Sequence, residues 1–151
     1  MKIRQYAHFV VGSELFDPDQ ITAALRIQPT TVSWKGSRSS EPPIPRYNVW
    51  RYRAGAAGVL DDVVRELLGV FEPVKAALQE LTIRDASWIE ISFMRSFDDP
   101  EGIEEHKGST DLPDNLVRLS GQHQLLGFHL DTELMARLVA LECSLDFDEY
   151  G

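Results

Sequence analysis

The chain has 151 residues, of which 43% are hydrophobic and 26% charged, the balance of a single soluble domain with room for a core. Its formal net charge of −9 argues against nucleic acid or an anionic membrane as partner, because both are held by clustered cations. No apolar run approaches the roughly 18 residues of a membrane span, and MKIRQYAHFVVG lacks the long apolar stretch of a secretion signal. Cys143 is the single cysteine and can form no intramolecular disulfide, so the expected setting is cytoplasmic.

Ile3 to Val11 is rich in β-formers and is followed by Gly12 and Ser13, which predicts a first strand ending there. Asp17 stands at a helix N-cap, with Pro18 at the first helical position and Gln20 placed to complete a capping box. Ile21, Ala24, Leu25 and Ile27 supply the apolar stripe of this short helix, and Pro29 turns Gln28 away from helical angles. Residues 36–45, GSRSSEPPIP, predict a loop partly in polyproline II form. Alternation over Tyr47 to Arg53 predicts a second strand, with Trp50 expected in the core.

The clearest helix runs from Val59 to Leu81. Its stripe is Leu60, Val63, Val64, Leu67, Leu68, Phe71, Val74, Leu78 and Leu81, at spacings of three and four. Pro73 removes a backbone donor inside it and predicts a kink or restart near Glu72. Ser87 to Met94 alternates and predicts a third strand near the centre of the sheet. Arg95 to Leu116 predicts a long acidic loop, and the runs 115–119 and 125–130 a hairpin through Gly121. Asp131 caps a last helix with the stripe Leu134, Met135, Leu138, Val139 and Leu141, and Cys143 to Phe147 forms the last strand. The segments Phe16 to Gln28 and Leu130 to Glu142 are faintly alike, as in a duplicated strand-helix-strand unit.

Several of these residues together resemble the bacterial domain-of-unknown-function family 4279. They are Phe9, Gly12, Asp17-Pro18, Ile21-Thr22, Leu25, Pro29-Thr30, Gly36, Trp50 and the ending Leu145-Asp146-Phe147-Asp148-Glu149-Tyr150. Arg26 stands where such sequences often carry a helix-ending glycine, and the acidic stretch 95–114 looks like an elaboration. The resemblance implies an α+β domain with an antiparallel or mixed sheet and assigns no activity or cofactor.

The candidate chemistry is sparse. His123 and His129, separated by five residues, could meet Cys143 at a metal, but zinc ligands usually come in tighter pairs. The acids Asp98, Asp99, Glu101, Glu104 and Glu105 do not follow the spacing of a calcium loop. There is no nucleophile elbow and no phosphate loop, and Cys143, between an apolar helix and a strand, reads as an inert small hydrophobe. The charge pattern is more telling. From Lys35 to Arg53 five cations face one acid, and from Ser96 to Asp114 seven acids face one lysine.

Trp34, Lys35, Arg38, Arg46, Tyr47 and Arg51, with Arg53, have the arginine-plus-aromatic composition of binding hot spots. The acidic loop could pair with this region, within the chain or between subunits. The expected molecule is one α+β domain, a four- to six-stranded mostly antiparallel sheet packed against one long kinked helix and two short ones. Its expected role is a non-enzymatic protein-interaction module, of inhibitor or immunity type, with no cofactor or metal and with a protein partner or a second copy of itself. The alternative is a small-molecule-binding or metal-assisted hydrolytic domain using His123, His129 and an acid.

Overall fold

Twelve consecutive residues, Lys2–Ser13, form strand β1 in the computed structural model, which describes residues 2–55, 60–83, 87–104 and 129–150. The elements that follow are α1 (Pro18–Leu25), β2 (Thr31–Ser33), β3 (Ser39–Ser40), β4 (Pro43–Ile44), β5 (Asn48–Arg53), α2 (Leu60–Phe71) and α3 (Lys75–Ile83). Then come β6 (Trp88–Phe97), β7 (Ile103–Glu104), α4 (Thr132–Ala140) and β8 (Ser144–Tyr150). The fold is α+β, as the sequence pattern predicts.

The main sheet has the order β2-β5-β1-β6-β8, and β1 lies at its centre. Its neighbours β5 and β6 are antiparallel to it, with Phe9 opposite both Tyr52 and Ile91. β8 runs parallel to β6, the arrangement that needs the crossover through α4. Strand β6 is thus paired on both sides, as expected of the third strand, but it reaches Phe97 rather than Met94.

Alternation sorts the strand residues onto two faces. Phe9, Val11, Trp50, Ile89, Ile91 and Phe93 are buried on one face, in the same core cluster as Ile21 and Leu25 of α1 and Leu134 and Leu138 of α4. Every apolar residue of the α2 stripe enters this core, from Leu60 to Phe71, as do Leu78 and Leu81 of α3. All the described helices therefore cover one face of the sheet. The restart expected at Pro73 is a 3₁₀ turn, Glu72–Val74, which joins α2 to α3. There Arg137 of α4 grips Glu72 with two hydrogen bonds of 2.6 and 2.8 Å. That pairing holds the Glu72 carboxyl below its usual range.

Helix α1 begins as predicted. Gln20 N–H donates to Asp17 Oδ1 at 2.8 Å, and Asp17 N–H donates to Gln20 Oε1 at 2.9 Å. It ends earlier than the prolines suggest, at Arg26, whose φ of 57° is the left-handed angle usually left to glycine. In α4 the C-cap Leu141 stays right-handed and the left-handed angle, φ 56°, falls on the next residue, Glu142, while Asp131 caps α4 as Asp17 caps α1. The likeness of the two segments is thus real in local structure. The tertiary setting differs, because β5 lies between β1 and β2 whereas β8 pairs directly with β6.

Other expectations need correction. Gly12 and Ser13 belong to β1 instead of ending it, because the Trp88 indole lies over Gly12 and occupies the space of a side chain. Met135 and Val139 are 45% and 75% exposed, since α4 packs through one narrow row, Leu134, Leu138 and Leu141. Ala24 is exposed for the same reason on α1, whose buried residues are Pro18, Ile21 and Leu25. The proline-rich loop contains a small hairpin, β3 against β4, with cis bonds at Glu41-Pro42 and Ile44-Pro45. Residues 98–104 wrap round the start of β1 so that β7 pairs with Lys2 and Ile3. Gly102 makes this crossing, and a Cβ there would lie 2.6 Å from the Ile3 carbonyl carbon. The predicted hairpin at 115–130 lies outside the described residues, except His129 and Leu130, which belong to no strand.

Two glycines should respond oppositely to alanine. Gly12→Ala must displace the Trp88 indole and should cost about 1–3 kcal/mol. Gly69, exposed within α2 with nothing within 4 Å of a built Cβ, should gain about 0.5–1 kcal/mol as alanine. Urea denaturation of the two variants checks both signs.

Candidate functional site

The hairpin between β2 and β5 is held by short-range hydrogen bonds. Gly36, with φ 71°, turns the chain, and its N–H donates to Pro45 O at 2.9 Å. Arg38 N–H donates to Ile44 O at 2.8 Å. The buried Asn48 anchors the base, its Oδ1 accepting from Lys35 N–H at 2.8 Å. The hairpin borders a cleft of ≈ 420 Å³ lined by Glu14, Lys35, Pro42, Pro43, Ile44 and Arg46. Ile44 is 47% exposed and Trp34 41%. Lys35, Arg38 and Arg46 form no salt bridge among the described residues, while Arg4, Arg65, Arg95 and Arg137 each have a carboxylate partner.

The predicted binding residues are therefore divided. Trp34, Lys35, Arg38 and Arg46 belong to this hairpin region. Tyr47 instead meets the edge of Trp88, with ring centroids 5.0 Å apart. Arg51 donates to Ser33 Oγ at 3.3 Å, on the face of the sheet that no described helix covers.

That helix-free face is the feature sequence reasoning missed. Register places Arg51, Val10 and Glu90 in one row across β5, β1 and β6, and Arg53, His8, Ser92 and Asp146 in the next, which extends to β8. Tyr6 stands beside them, edge-on to His8 and 4.5 Å beneath the Arg53 guanidinium. Burial lowers the His8 pKa, and Arg53 and Arg51 lower it further. Burial raises the Glu90 pKa, and Asp146 and Asp148 add to the shift, while a hydrogen bond from Trp88 opposes it. The signal was present in the alternation Arg4, Tyr6, His8 and Glu90, Ser92, but Tyr6 and Trp88 gave this face an apolar look too.

Cys143 is largely buried, which pushes its thiol up to about 12 and makes it a poor nucleophile or metal ligand. His129 uses its backbone N–H on Asp61 Oδ1 at 3.0 Å, and His123 lies outside the described residues. Among the described residues no group of three His, Cys, Asp or Glu could hold a metal. Asp99 and Glu101 pair with Arg4 rather than with the basic hairpin. Ile103 meets β1 at Ile3 and Asn48 meets it at Ser13, about 30 Å apart along the strand. The acids at 105–114 lie outside the described residues.

A family model described as a domain of unknown function, DUF4279, matches residues 2–151. The chain belongs to the DUF4279 family. No curated protein and no solved structure matches it. Among the residues that carry the DUF4279 resemblance, Trp50 and Thr22 are scaffold. Trp50, fully buried, donates its indole N–H to Thr22 Oγ1 at 3.0 Å, and Thr22 donates to Pro18 O at 2.8 Å. This relay fastens α1 to the sheet and satisfies a polar atom inside the core.

Glu90 offers a test of the helix-free face. Its folded pKa is raised, so the face favours the protonated acid, and that contribution is lost as pH rises through the folded pKa. Glu90→Gln, which mimics the neutral acid, should therefore be more stable than the parent at pH 7, with the gap closing by pH 4. Urea midpoints of both proteins at the two pH values measure it.

Proposed function

We propose that this DUF4279 domain is a non-enzymatic interaction module of the bacterial cytoplasm, of inhibitor or immunity type, that engages a partner protein through the hairpin cleft. One observation carries this reading. Lys35 and Arg46 line the cleft without salt bridges among the described residues, beside the exposed Ile44 and Trp34. An apolar anchor ringed by cations suits a partner surface that presents carboxylates around an apolar residue.

The rival reading, a small-ligand or hydrolytic domain, draws on His8 and Glu90. They lie on adjacent rows of the helix-free face, and burial moves their pKa values toward each other. Two features weigh against a serine-type mechanism. Ser92 lies between His8 and Asp146 in its row, so the acid cannot orient the imidazole. The buried Cys143 thiol, at about 12, supplies no alternative nucleophile.

Crosslinking capture with four variants separates the readings. A specific partner should be retained by Lys75→Glu and lost about tenfold or more by Lys35→Glu/Arg46→Glu. Equal capture by both, or loss confined to His8→Ala and Glu90→Gln, would overturn the proposal in favour of the open face.

A further inference from the structure

The two ends of the sheet are finished differently. At one end β2 is only three residues long, short enough to be a poor template for pairing. At the other, β8 runs for seven residues, and among the described residues no strand pairs with its outer side. Six of its seven residues are exposed, and Leu145 is half-buried. In a strand paired on one side, alternate backbone N–H and C=O groups face outward and remain available for a further ladder.

The side chains of β8 are sorted by face. Asp146 and Asp148 lie on the helix-free side, in the rows of Ser92 and Met94, and neither forms a salt bridge among the described residues. Both raise the Glu90 pKa, as carboxylates turned toward the same face do. On the helix side Phe147 stacks on Phe93 with ring centroids 4.8 Å apart and is still 41% exposed, and Glu149 is occupied by Arg95 at 2.8 Å. Tyr150 adds a second exposed aromatic, at 52%.

We propose that β8 is a docking edge for an extended basic segment of a partner protein, which adds to the sheet as a further strand beside β8. The edge makes the site, and the acids choose its occupant. A strand laid beside β8 places two of its side chains opposite Asp146 and Asp148 on the helix-free face, where lysine or arginine fits. The residue between them falls opposite Phe147 on the helix face, where an apolar side chain fits. The recognised pattern is basic-apolar-basic, with main-chain hydrogen bonds for affinity and the alternation for selectivity. A second copy of the chain is a poor occupant. Two-fold antiparallel pairing centred on Phe147 sets Asp146 of each copy against Asp148 of the other, and like charges directly opposite are destabilising. The same acids thus block self-pairing and admit a basic strand. This surface is separate from the hairpin cleft and does not depend on it.

The test uses a blocked seven-residue peptide alternating lysine and valine, its glutamate-valine counterpart, and a lysine-valine peptide N-methylated at alternate residues. Hydrogen exchange by NMR should show slowed exchange with the first peptide only, at those backbone amides of residues 144–150 that point away from β6. Binding should weaken about tenfold with Asp146→Lys/Asp148→Lys, both exposed positions, as two attractive pairs become repulsive. The proposal is overturned if the glutamate peptide protects equally, if the N-methylated peptide binds as well as its parent, or if no residue of β8 is protected. It also fails if those amides are already protected in the free protein, whether by a dimer or by another segment of the chain.

Discussion

Phe71 holds the architecture together. It is the last residue of α2, and it stacks on Phe9 of the central strand with ring centroids 3.6 Å apart. Trp50 and Tyr52 of β5 meet it edge-on at 6.0 and 5.5 Å. One side chain thus binds the long helix to two adjacent strands, and burying it contributes about 2–3 kcal/mol before the aromatic contacts add theirs. Its position fixes the next event in the chain. Pro73 interrupts the helix immediately afterwards, and the freed direction lets α3 lay Leu78 and Leu81 on the same core. Arg137 closes on Glu72 at that turn, so α4 is drawn to the same place.

The helices crowd round Phe71, and the opposite face of the sheet carries Arg51, Arg53, His8 and Glu90 around the buried Val10 and Val49. Cations gather toward the β5 side, with Arg51 and Arg53 on the sheet and Lys35, Arg38 and Arg46 in the hairpin beyond it. Acids gather toward β8, where Asp146 and Asp148 neighbour Glu90. A chain with net charge −9 therefore presents a divided field, basic toward β5 and acidic toward β8.

Much of the fold was legible because it rests on local rules. The α2 stripe, the Asp17 capping box and the burial of Trp50 follow from periodicity and from backbone donors that need partners. What stayed hidden depends on tertiary contact. Gly12 looks like a strand terminator until Trp88 is seen to cover it. Arg26 looks like an unsuitable helix end, yet the cap forms with its φ at 57°. Met135 and Val139 fit a helical stripe, but a short helix at the margin of a sheet buries only one narrow row. The candidate site was half visible. Composition marked the basic hairpin, but nothing in it separates Arg51 and Tyr47, which turn to the sheet face, from Lys35 and Arg46, which line the cleft. The bare face itself could not be read, because Tyr6 and Val10 are as apolar as the core residues that alternate with them.

The central claim is that one face of the sheet carries the stability and the other is free for recognition. Equilibrium unfolding of Phe71→Ala beside Tyr6→Ala tests it most directly. The first removes the residue that joins helix to sheet and should cost about 3–5 kcal/mol. The second removes a side chain that touches only His8 and Arg53 among the described aromatic and cation contacts, and should cost no more than about 1 kcal/mol. Equal losses, or a larger loss at Tyr6, would contradict the division of labour between the two faces.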